Sequence, residues 1–290
     1  MFSDIWLVGC RPEKEFENLK EGVTELLFCF TDKGLIKWTQ KIPPYSRRLG
    51  AVVNICSFTN SDHASVIIVG CENWHYYAYS ADGVQLWNKQ VYHSATASLA
   101  QDLDGDGSQD IILGDEYQVF YCMDENGDLK KSFYHASIGD ITTITPTPNG
   151  NGTDFVFSKS DGWLRGYNLV NNNCTWEANV GGNITCAVVS PSKTIIVGTE
   201  NDSLQTFDMS GKRGAQVFFS DEVCALSCTE EQLYVLCRNG AFYELDEDME
   251  QRNVYQISEN KEPLVVPGSI MFDNEISIFW YGKTVLLKQR

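Results

Sequence analysis

Short apolar runs separated by tight, polar turns repeat along the whole chain, and the repeat is visible without gaps. The segment LFCFTDKGLIKW (27–38) aligns with YYAYSADGVQLW (76–87), VFYCMDENGDLKKSF (119–133) and LRGYNLVNNNCTW (164–176), and weaker copies are LQTFDMSGKRGAQVF (204–218) and FYELDEDMEQRNVY (242–255). Each copy consists of a strand-like run, a turn rich in Gly, Asn or Asp, and a second strand-like run. This pattern predicts a β-hairpin.

Two further apolar runs precede each hairpin. The nearer ones are WLVGC (6–10), IIVGC (67–71), IILGD (111–115), FVFSK (155–159), IIVGT (195–199) and YVLCR (234–238). The farther ones are AVVNICSF (51–58), TASLAQDL (96–103), ITTITPT (141–147), ITCAVVS (184–190) and VCALSCT (223–229). Each repeat therefore has four predicted strands.

The repeat recurs every ~40–50 residues, a period typical of propeller blades, and no segment has sustained helical periodicity. We therefore predict an all-β protein, a single β-propeller of about seven four-stranded blades in one domain over residues 1–290. The first and last repeats are incomplete. Either the two termini complete a shared blade, or the sequence is a piece of a longer protein.

Small and large residues alternate at matching positions of the hairpins, as packing one blade on the next requires. The small residues are Cys29, Ala78, Cys122, Gly166 and Thr206, each followed by a large apolar residue. Tryptophan recurs near the end of the hairpin, at Trp38, Trp87 and Trp176. We expect these three indoles to pack between blades.

The charge balance restricts the partners. With 22 Lys and Arg against 39 Asp and Glu, the net charge is −17. Such a field repels a phosphate backbone, so we expect no nucleic acid partner. No apolar run approaches the ~20 residues of a membrane helix, so we expect no membrane insertion, and the first residues lack the pattern of a signal peptide.

The ten cysteines occur singly within strand-like runs. Cys10 and Cys71 occupy matching positions of neighbouring repeats, and Cys29 and Cys122 do so in alternate repeats, which separates each pair beyond the ~7 Å reach of a disulfide. We predict buried free thiols, which slightly favour a cytoplasmic location. Four Asn-x-Ser/Thr patterns, at Asn151, Asn173, Asn183 and Asn201, leave the compartment undecided.

The loop DLDGDGSQD (102–110) has the spacing of a calcium site. Its predicted oxygen ligands stand at loop positions 1, 3, 5, 7 and 9: Asp102, Asp104, Asp106, the Ser108 carbonyl and Asp110. Oxygen donors at this spacing can converge on Ca²⁺, and two glycines allow the tight loop. We predict a structural calcium ion here; the alternative is an acidic turn without metal. The related segment NGNGTD (149–154) has fewer carboxylates, and we expect no metal there.

Two family resemblances rest on these motifs. The hairpin, with an aromatic strand, Asp-x-x-Gly and a strand ending in Trp, resembles the repeat of pyrroloquinoline-quinone-like propellers over most of the chain. The segment DLDGDGSQDIILG (102–114) resembles an FG-GAP-type repeat. The resemblance implies a propeller fold and no particular activity. Quinone dehydrogenases of this type carry adjacent cysteines and a longer, eight-bladed chain, so we expect no quinone cofactor.

Loops at one end of the predicted blades collect aromatic and basic residues. In a propeller, connections between blades emerge on the same face as those between second and third strands. This face would hold Tyr45, Arg47, Arg48, Trp74, His75, Tyr92, His93, Asp115, Glu116, Tyr117, Tyr134, His135 and Trp163. The repeated Tyr-His pairs at residues 92–93 and 134–135 can also reflect blade duplication alone.

Two functions fit this face. The first is a non-catalytic module that binds a protein or an acidic or neutral glycan, with Tyr45, Trp74, His75, Tyr117 and Trp163 as ligand-binding residues. The alternative is a lyase for uronic-acid sugars, in which an arginine neutralises the carboxylate and a His or Tyr transfers protons. Its candidate catalytic residues are Arg47, Arg48, Tyr92, His93, Tyr134 and His135. A lyase requires an arginine and a His or Tyr to converge within ~6 Å of one point.

Overall fold

The computed structural model describes residues 5–9, 27–31, 35–46, 48, 50–137, 139–148, 152–257, 269–272, 276–280 and 283–287. All regular secondary structure in these ranges is β, and none of these residues forms a helix long and apolar enough to cross a membrane. The chain divides into two compact units, residues 1–144 and 145–290.

The first unit contains three antiparallel sheets in which neighbouring strands follow one another in sequence. The first sheet comprises β1 (Ile5–Gly9), β2 (Leu27–Thr31) and β3 (Ile36–Gln40). The second comprises β4 (Val52–Thr59), β5 (Ser65–Cys71), β6 (His75–Ser80) and β7 (Gln85–Gln90). The third comprises β8 (Ala95–Gln101), β9 (Asp110–Asp115), β10 (Val119–Met123) and β11 (Leu129–Tyr134).

The same order continues in the rest of the chain. The fourth sheet comprises β12 (Ile141–Pro146), β13 (Phe155–Lys159), β14 (Trp163–Asn168) and β15 (Asn173–Asn179). The fifth comprises β16 (Ile184–Val189), β17 (Ile195–Thr199), β18 (Ser203–Phe207) and β19 (Arg213–Phe218). The sixth comprises β20 (Val223–Cys228), β21 (Leu233–Cys237), β22 (Ala241–Leu245) and β23 (Gln251–Gln256), and the seventh comprises β24 (Ser269–Phe272), β25 (Ile276–Trp280) and β26 (Lys283–Leu287).

The prediction of an all-β chain built from repeated four-stranded sheets is confirmed for five of the seven described sheets. The first and last sheets have three strands within the described residues. The apolar runs predicted as strands coincide with strands, with ends that differ by one or two residues. That residues 1–290 form a single domain stays a prediction.

The burial of each strand follows its position in the sheet. Strands β9, β13, β17 and β21 are buried at every residue, which explains their continuous apolar sequences. The fourth strand of each sheet lies at an edge, and β7 and β15 alternate between exposed and half-buried residues. The central strands therefore supply the core, while the edge strands carry the polar surface.

Three tryptophans connect successive sheets within a unit. Each lies on an edge strand opposite a small residue, just before a register shift in the pairing. Each indole covers a positive-φ glycine in the next sheet's hairpin turn: Trp38 covers Gly83, Trp87 covers Gly127 and Trp176 covers Gly211. A Cβ atom at any of these glycines would overlap the indole. The prediction that these tryptophans pack between blades is confirmed.

The nine described cysteines are free, as predicted, and Cys10 lies outside the described residues. Five are buried: Cys29, Cys71, Cys122, Cys224 and Cys237. Burial removes water from the thiolate form, so it raises the pKa of Cys56 to about 11 and that of Cys122 to about 11. These thiols are structural apolar groups and poor nucleophiles at neutral pH.

The contact between Trp176 and Gly211 predicts a difference between two glycine substitutions. Gly211 (φ +81°) and Gly181 (φ +88°) have the same left-handed backbone, so alanine is equally strained at both, but a Cβ at Gly181 has no neighbour within 4 Å. Gly211→Ala should therefore lower the free energy of unfolding by about 1–3 kcal/mol more than Gly181→Ala. Urea denaturation of both variants measures this difference, and equal losses would contradict the packing role.

The raised thiol pKa values predict a loss of stability in alkali. Unfolded thiols ionise near pH 9.0, whereas Cys56 and Cys122 ionise near 11 in the folded chain. The two thiols contribute fully to the free energy of unfolding below pH 9. This contribution is lost as the pH rises toward 11, because the thiols of the unfolded chain lose their protons first. Urea denaturation between pH 8 and 11 should show a shallower decline for Cys122→Ala than for the natural chain. Parallel declines would show that this thiol does not contribute.

Candidate functional site

Five aromatic rings from successive turns of the first unit form a continuous surface, which we call the aromatic ladder. It consists of Tyr45, Trp74, His75, His93 and Tyr117. Tyr45 lies between β3 and β4, Trp74 and His75 lie where β5 turns into β6, His93 lies between β7 and β8, and Tyr117 lies between β9 and β10. The structure thus brings together four of the five predicted ligand-binding residues.

The rings contact one another in order. Tyr45 lies 5.0 Å from His75 and 6.0 Å from Trp74, both edge to face, measured between ring centroids. Trp74 lies 5.1 Å from His93, which stacks on Tyr117 at 4.3 Å with an interplanar angle of 11°. Tyr117 is 61% exposed and Tyr45 is 39% exposed. Tyr45 and Tyr117 therefore present their rings to solvent, whereas Trp74, His75 and His93 are half-buried and the indole nitrogen of Trp74 is buried.

Trp74 has a backbone conformation that a tryptophan rarely adopts. Its φ is +66°, in the left-handed region where a Cβ atom clashes with the following carbonyl. The matching turn positions of later sheets hold Gln118, Gly162, Asp202 and Gly240, all with positive φ. Glycine would satisfy this turn without strain, so tryptophan here costs about 1–3 kcal/mol. Gln118 and Asp202 carry the same kind of strain in the matching turns, so what distinguishes Trp74 is its contact with the neighbouring rings.

Buried polar contacts fix the turn that carries Trp74. Asn73 is fully buried, and its Nδ2 donates to the Pro43 carbonyl at 2.6 Å and to the Tyr77 hydroxyl at 2.9 Å. The backbone carbonyl oxygen of Asn73 lies 2.9 Å from His75 Nδ1. The Tyr45 hydroxyl accepts from Gln90 Nε2 at 3.0 Å. The ladder is therefore held in place by its supporting residues.

Asp115 organises the other end of the ladder. Its Oδ1 accepts from the backbone N–H of Tyr117 at 2.8 Å and of Val119 at 3.1 Å. Its Oδ2 accepts from the Tyr92 N–H at 3.2 Å and from the Tyr121 hydroxyl at 3.1 Å. Burial raises the pKa of Asp115, and the four hydrogen bonds oppose that rise. The sequence analysis placed Asp115 on this face but did not indicate that it positions the turns. The signal that could have indicated this role is a carboxylate at the end of the buried run IILGD.

The predicted catalytic residues have separate surroundings. His93 Nδ1 lies 3.8 Å from Glu116 Oε2, and His135 Nδ1 lies 3.0 Å from Ser137 Oγ. Tyr92 is 68% exposed, with its ring 6.4 Å from that of Tyr121.

The remaining catalytic candidates lie outside the ladder or outside the described residues. Tyr134 is 60% exposed. The backbone of Arg48 forms two hydrogen bonds with that of Tyr45, at 2.8 and 2.9 Å. Arg47 lies outside the described residues. An arginine converging with a histidine or tyrosine, as a lyase requires, stays a prediction.

Trp163, the fifth predicted ligand-binding residue, belongs to the second unit. It is the first residue of β14 and is half-buried. Its backbone N–H donates to Asp161 Oδ1 at 3.1 Å, which closes the turn between β13 and β14. Asp161 also pairs with the buried Arg165. Trp163 therefore belongs to a different compact unit from the ladder residues.

The predicted calcium loop connects β8 to β9. One carboxylate oxygen from each of Asp102, Asp104 and Asp106 lies within 4.8 Å of the others. Asp102 also accepts from the backbone N–H of Gly105 at 2.7 Å and of Gly107 at 3.0 Å. These bonds curl the loop so that the three carboxylates face one point.

The remaining two predicted ligands have other contacts. Asp110 is buried, and its Oδ1 forms an ion pair with Lys130 Nζ at 2.9 Å. Its Oδ2 accepts from the Leu103 N–H at 3.2 Å. The backbone N–H of Ser108 donates to Asp106 Oδ1 at 2.7 Å. Three of the five predicted ligands therefore converge by their side chains. The segment NGNGTD (149–154) begins outside the described residues.

Comparisons with known proteins identify the fold. No protein-family model and no curated protein sequence matches the chain. The crystal structure of Saccharomyces cerevisiae Sqt1 matches with a TM-score of 0.67 and 12% identity over 87% of this chain and 74% of that chain. The structure of BBS1N in complex with ARL6DN matches with a TM-score of 0.67 and 15% identity over 90% of this chain and 83% of that chain.

Both solved structures are β-propeller folds, and the likeness shows that this chain has a β-propeller fold. At such low identity the likeness extends to the fold alone. The finer resemblance to pyrroloquinoline-quinone-like and FG-GAP-type repeats, and the expectation that no quinone is bound, stay predictions.

Proposed function

We propose that the protein is a non-catalytic β-propeller binding module and that the aromatic ladder is its contact surface for a protein partner. In this proposal residues 1–290 form one propeller of about seven blades, as the sequence repeat predicts. The observation that carries the proposal is the contiguous set of aromatic rings around Trp74, which contact one another from Tyr45 to Tyr117.

The chemistry of the ladder favours a protein as the ligand. Tryptophan and tyrosine dominate the binding energy of protein interfaces, because they bury a large area at a small cost in side-chain entropy. The ladder places three such side chains, Tyr45, Trp74 and Tyr117, in one contiguous group with two histidines. The hydrogen bonds that Asn73 donates and those that Asp115 accepts already order the turns, which lowers the entropy cost of binding.

The solved neighbours support the same type of partner. BBS1N was crystallised in complex with a protein, ARL6DN. A propeller of this shape can therefore act as a docking platform for another protein. A glycan, which would stack on the same rings, is the other ligand class predicted from the sequence, and it forms a separate arm of the test below.

Trp74→Gly separates binding from folding, because glycine relieves the strained turn while it removes the indole. We expect an unchanged or higher melting temperature and a loss of binding of about tenfold or more. The matched control is Gln118→Gly, which relieves the same turn position in the next sheet and leaves the ladder intact.

The measurement is quantitative affinity purification with the natural chain and both variants, followed by binding of the natural chain to a glycan array. The proposal expects partner proteins that are lost with Trp74→Gly and kept with Gln118→Gly. If both variants capture the same proteins as the natural chain, the ladder is not the contact surface. Array binding that is lost with Trp74→Gly would identify a sugar ligand instead.

We further propose that the loop after β8 binds a structural Ca²⁺ through Asp102, Asp104 and Asp106. Three carboxylates within 4.8 Å repel one another unless a cation offsets their charge. Carboxylate oxygens on a flexible loop are ligands that Ca²⁺ accepts. The proposed set is smaller than the sequence predicted, because Lys130 already neutralises Asp110; the Ser108 carbonyl remains a proposed fourth donor.

The calcium proposal predicts a metal-dependent melting temperature. Binding to the folded state alone stabilises it by about 2.7 kcal/mol at a hundredfold excess over Kd. Scanning calorimetry should show a rise with millimolar Ca²⁺ and a fall with chelator, and Asp104→Asn should abolish the response. Asp124→Asn is the matched control, because Asp124 caps the β10–β11 turn in the same way but lies outside the carboxylate cluster. The proposal would be contradicted by a calcium response that survives Asp104→Asn, or by no response in the natural chain. The loop would then be an acidic turn without metal.

A further inference from the structure

The repeated tryptophan is absent from three hairpins, in which Lys131, Ala215 and Asn253 occupy its position in the register. In the β18–β19 hairpin, Phe207 pairs with Arg213 and Gln205 pairs with Gln216, with the same register shift as in the other hairpins. The residue opposite Thr206 is Ala215, whose backbone N–H donates to Thr206 Oγ1 at 2.8 Å. Ala215 therefore stands at the position of Trp38, Trp87 and Trp176, and it is exposed.

The turn that this missing indole would cover is altered as well. In the next hairpin, between β22 and β23, the positive-φ position is Met249 (φ +64°), where Gly83, Gly127 and Gly211 stand in the covered turns. Met249 is half-buried and packs against the apolar core of the sixth sheet. Both members of the tryptophan–glycine pair are thus replaced together.

An open cleft of about 340 Å³ occupies this place, between the fifth and sixth sheets. This volume lies within the ~300–1,000 Å³ range of small-ligand sites. Its apolar lining includes Ile196, Ala215, Cys228, Leu233 and Met249. Strands β16 and β20 stay in contact below it, where Cys228 Sγ donates to the Val189 carbonyl at 3.7 Å. The cleft is therefore a local gap over an intact core.

The rim of the cleft is strongly acidic. It carries five carboxylates: Glu230, Glu231, Asp246, Glu247 and Asp248. The same five residues and Arg252 line an adjoining depression of about 280 Å³. Arg252 pairs with Asp246 at 2.7 Å, while Glu230, Glu231, Glu247 and Asp248 are exposed. The rim therefore has a large excess of negative charge next to an apolar floor.

We propose that this cleft is a docking site for a basic segment of a protein partner, which inserts one aromatic side chain in place of the missing indole. The apolar floor between the two sheets has the position that a tryptophan occupies elsewhere in the repeat. Lysine or arginine residues flanking the inserted ring then face the acidic rim, which attracts them at long range and fixes their register. The site lies on the second unit and does not depend on the aromatic ladder.

The test uses two fluorescein-labelled peptides, GKRWKRG and GKRGKRG, which carry the same charge and differ only in the aromatic residue. Fluorescence anisotropy should show about tenfold or tighter binding of the tryptophan peptide to the natural chain. Equal affinities would overturn the proposal, because they would show attraction to the acidic surface without insertion.

The double variant Ala215→Trp, Met249→Gly restores both members of the repeated pair. It should fill the cleft, keep or raise the melting temperature and remove the preference for the tryptophan peptide. A folded double variant that keeps this preference would contradict the proposed place of insertion.

A charge variant tests the rim without touching the core. Glu230→Gln with Glu231→Gln should weaken the tryptophan peptide about tenfold and reduce the salt dependence of binding. The matched control removes two exposed carboxylates of the first unit, through Asp62→Asn with Asp128→Asn, and should change the affinity less than twofold. Equal losses in the two variants would show that net charge, rather than this rim, attracts the peptide.

Discussion

The contact between an edge-strand tryptophan and a hairpin glycine of the next sheet is the interaction on which the repeated structure depends. It requires a small residue opposite the indole, a register shift beside it and a glycine with positive φ beneath it, as at Trp87, Ala78 and Gly127. One indole thus contacts two hairpins of neighbouring sheets at Trp38, Trp87 and Trp176. The small residue opposite each indole leaves room for this contact.

The turn between the second and third strands of each four-stranded sheet contains one residue with a left-handed backbone conformation, and the residue type at this position varies from sheet to sheet. The position is satisfied by glycine at Gly162 and Gly240, and by strained residues at Trp74 and Gln118. Folding needs only the backbone conformation, so the side chain at this position is free to serve another purpose. The aromatic ladder uses that freedom at the ends of the strands, where the core does not restrict side-chain size.

Acidic groups have two different environments. Asp115 is buried and satisfied by four donors, so it positions the ladder, whereas Asp102, Asp104 and Asp106 are close together at a loop tip. The first arrangement has its hydrogen-bond partners within the protein, whereas the second leaves three carboxylates within 4.8 Å of one another. The acidic rim of the cleft beside Met249 is a third case, in which the carboxylates surround a gap in the apolar packing. The acidic residues therefore lie in three different environments.

The strands, their grouping and the packing role of the tryptophans could be predicted from the sequence, because alternation and turn residues are local signals and the repeat shows them several times. The sequence also placed Trp74 and Tyr117 on one face, since loop positions follow from strand order. The ion pair between Lys130 and Asp110 could not be predicted in this way, because the two residues lie on different strands of one sheet and meet only after folding. Likewise, the cleft at Ala215 results from the packing of two sheets. It cannot be read from the sequence, because it depends on which residues of the neighbouring sheet are left uncovered.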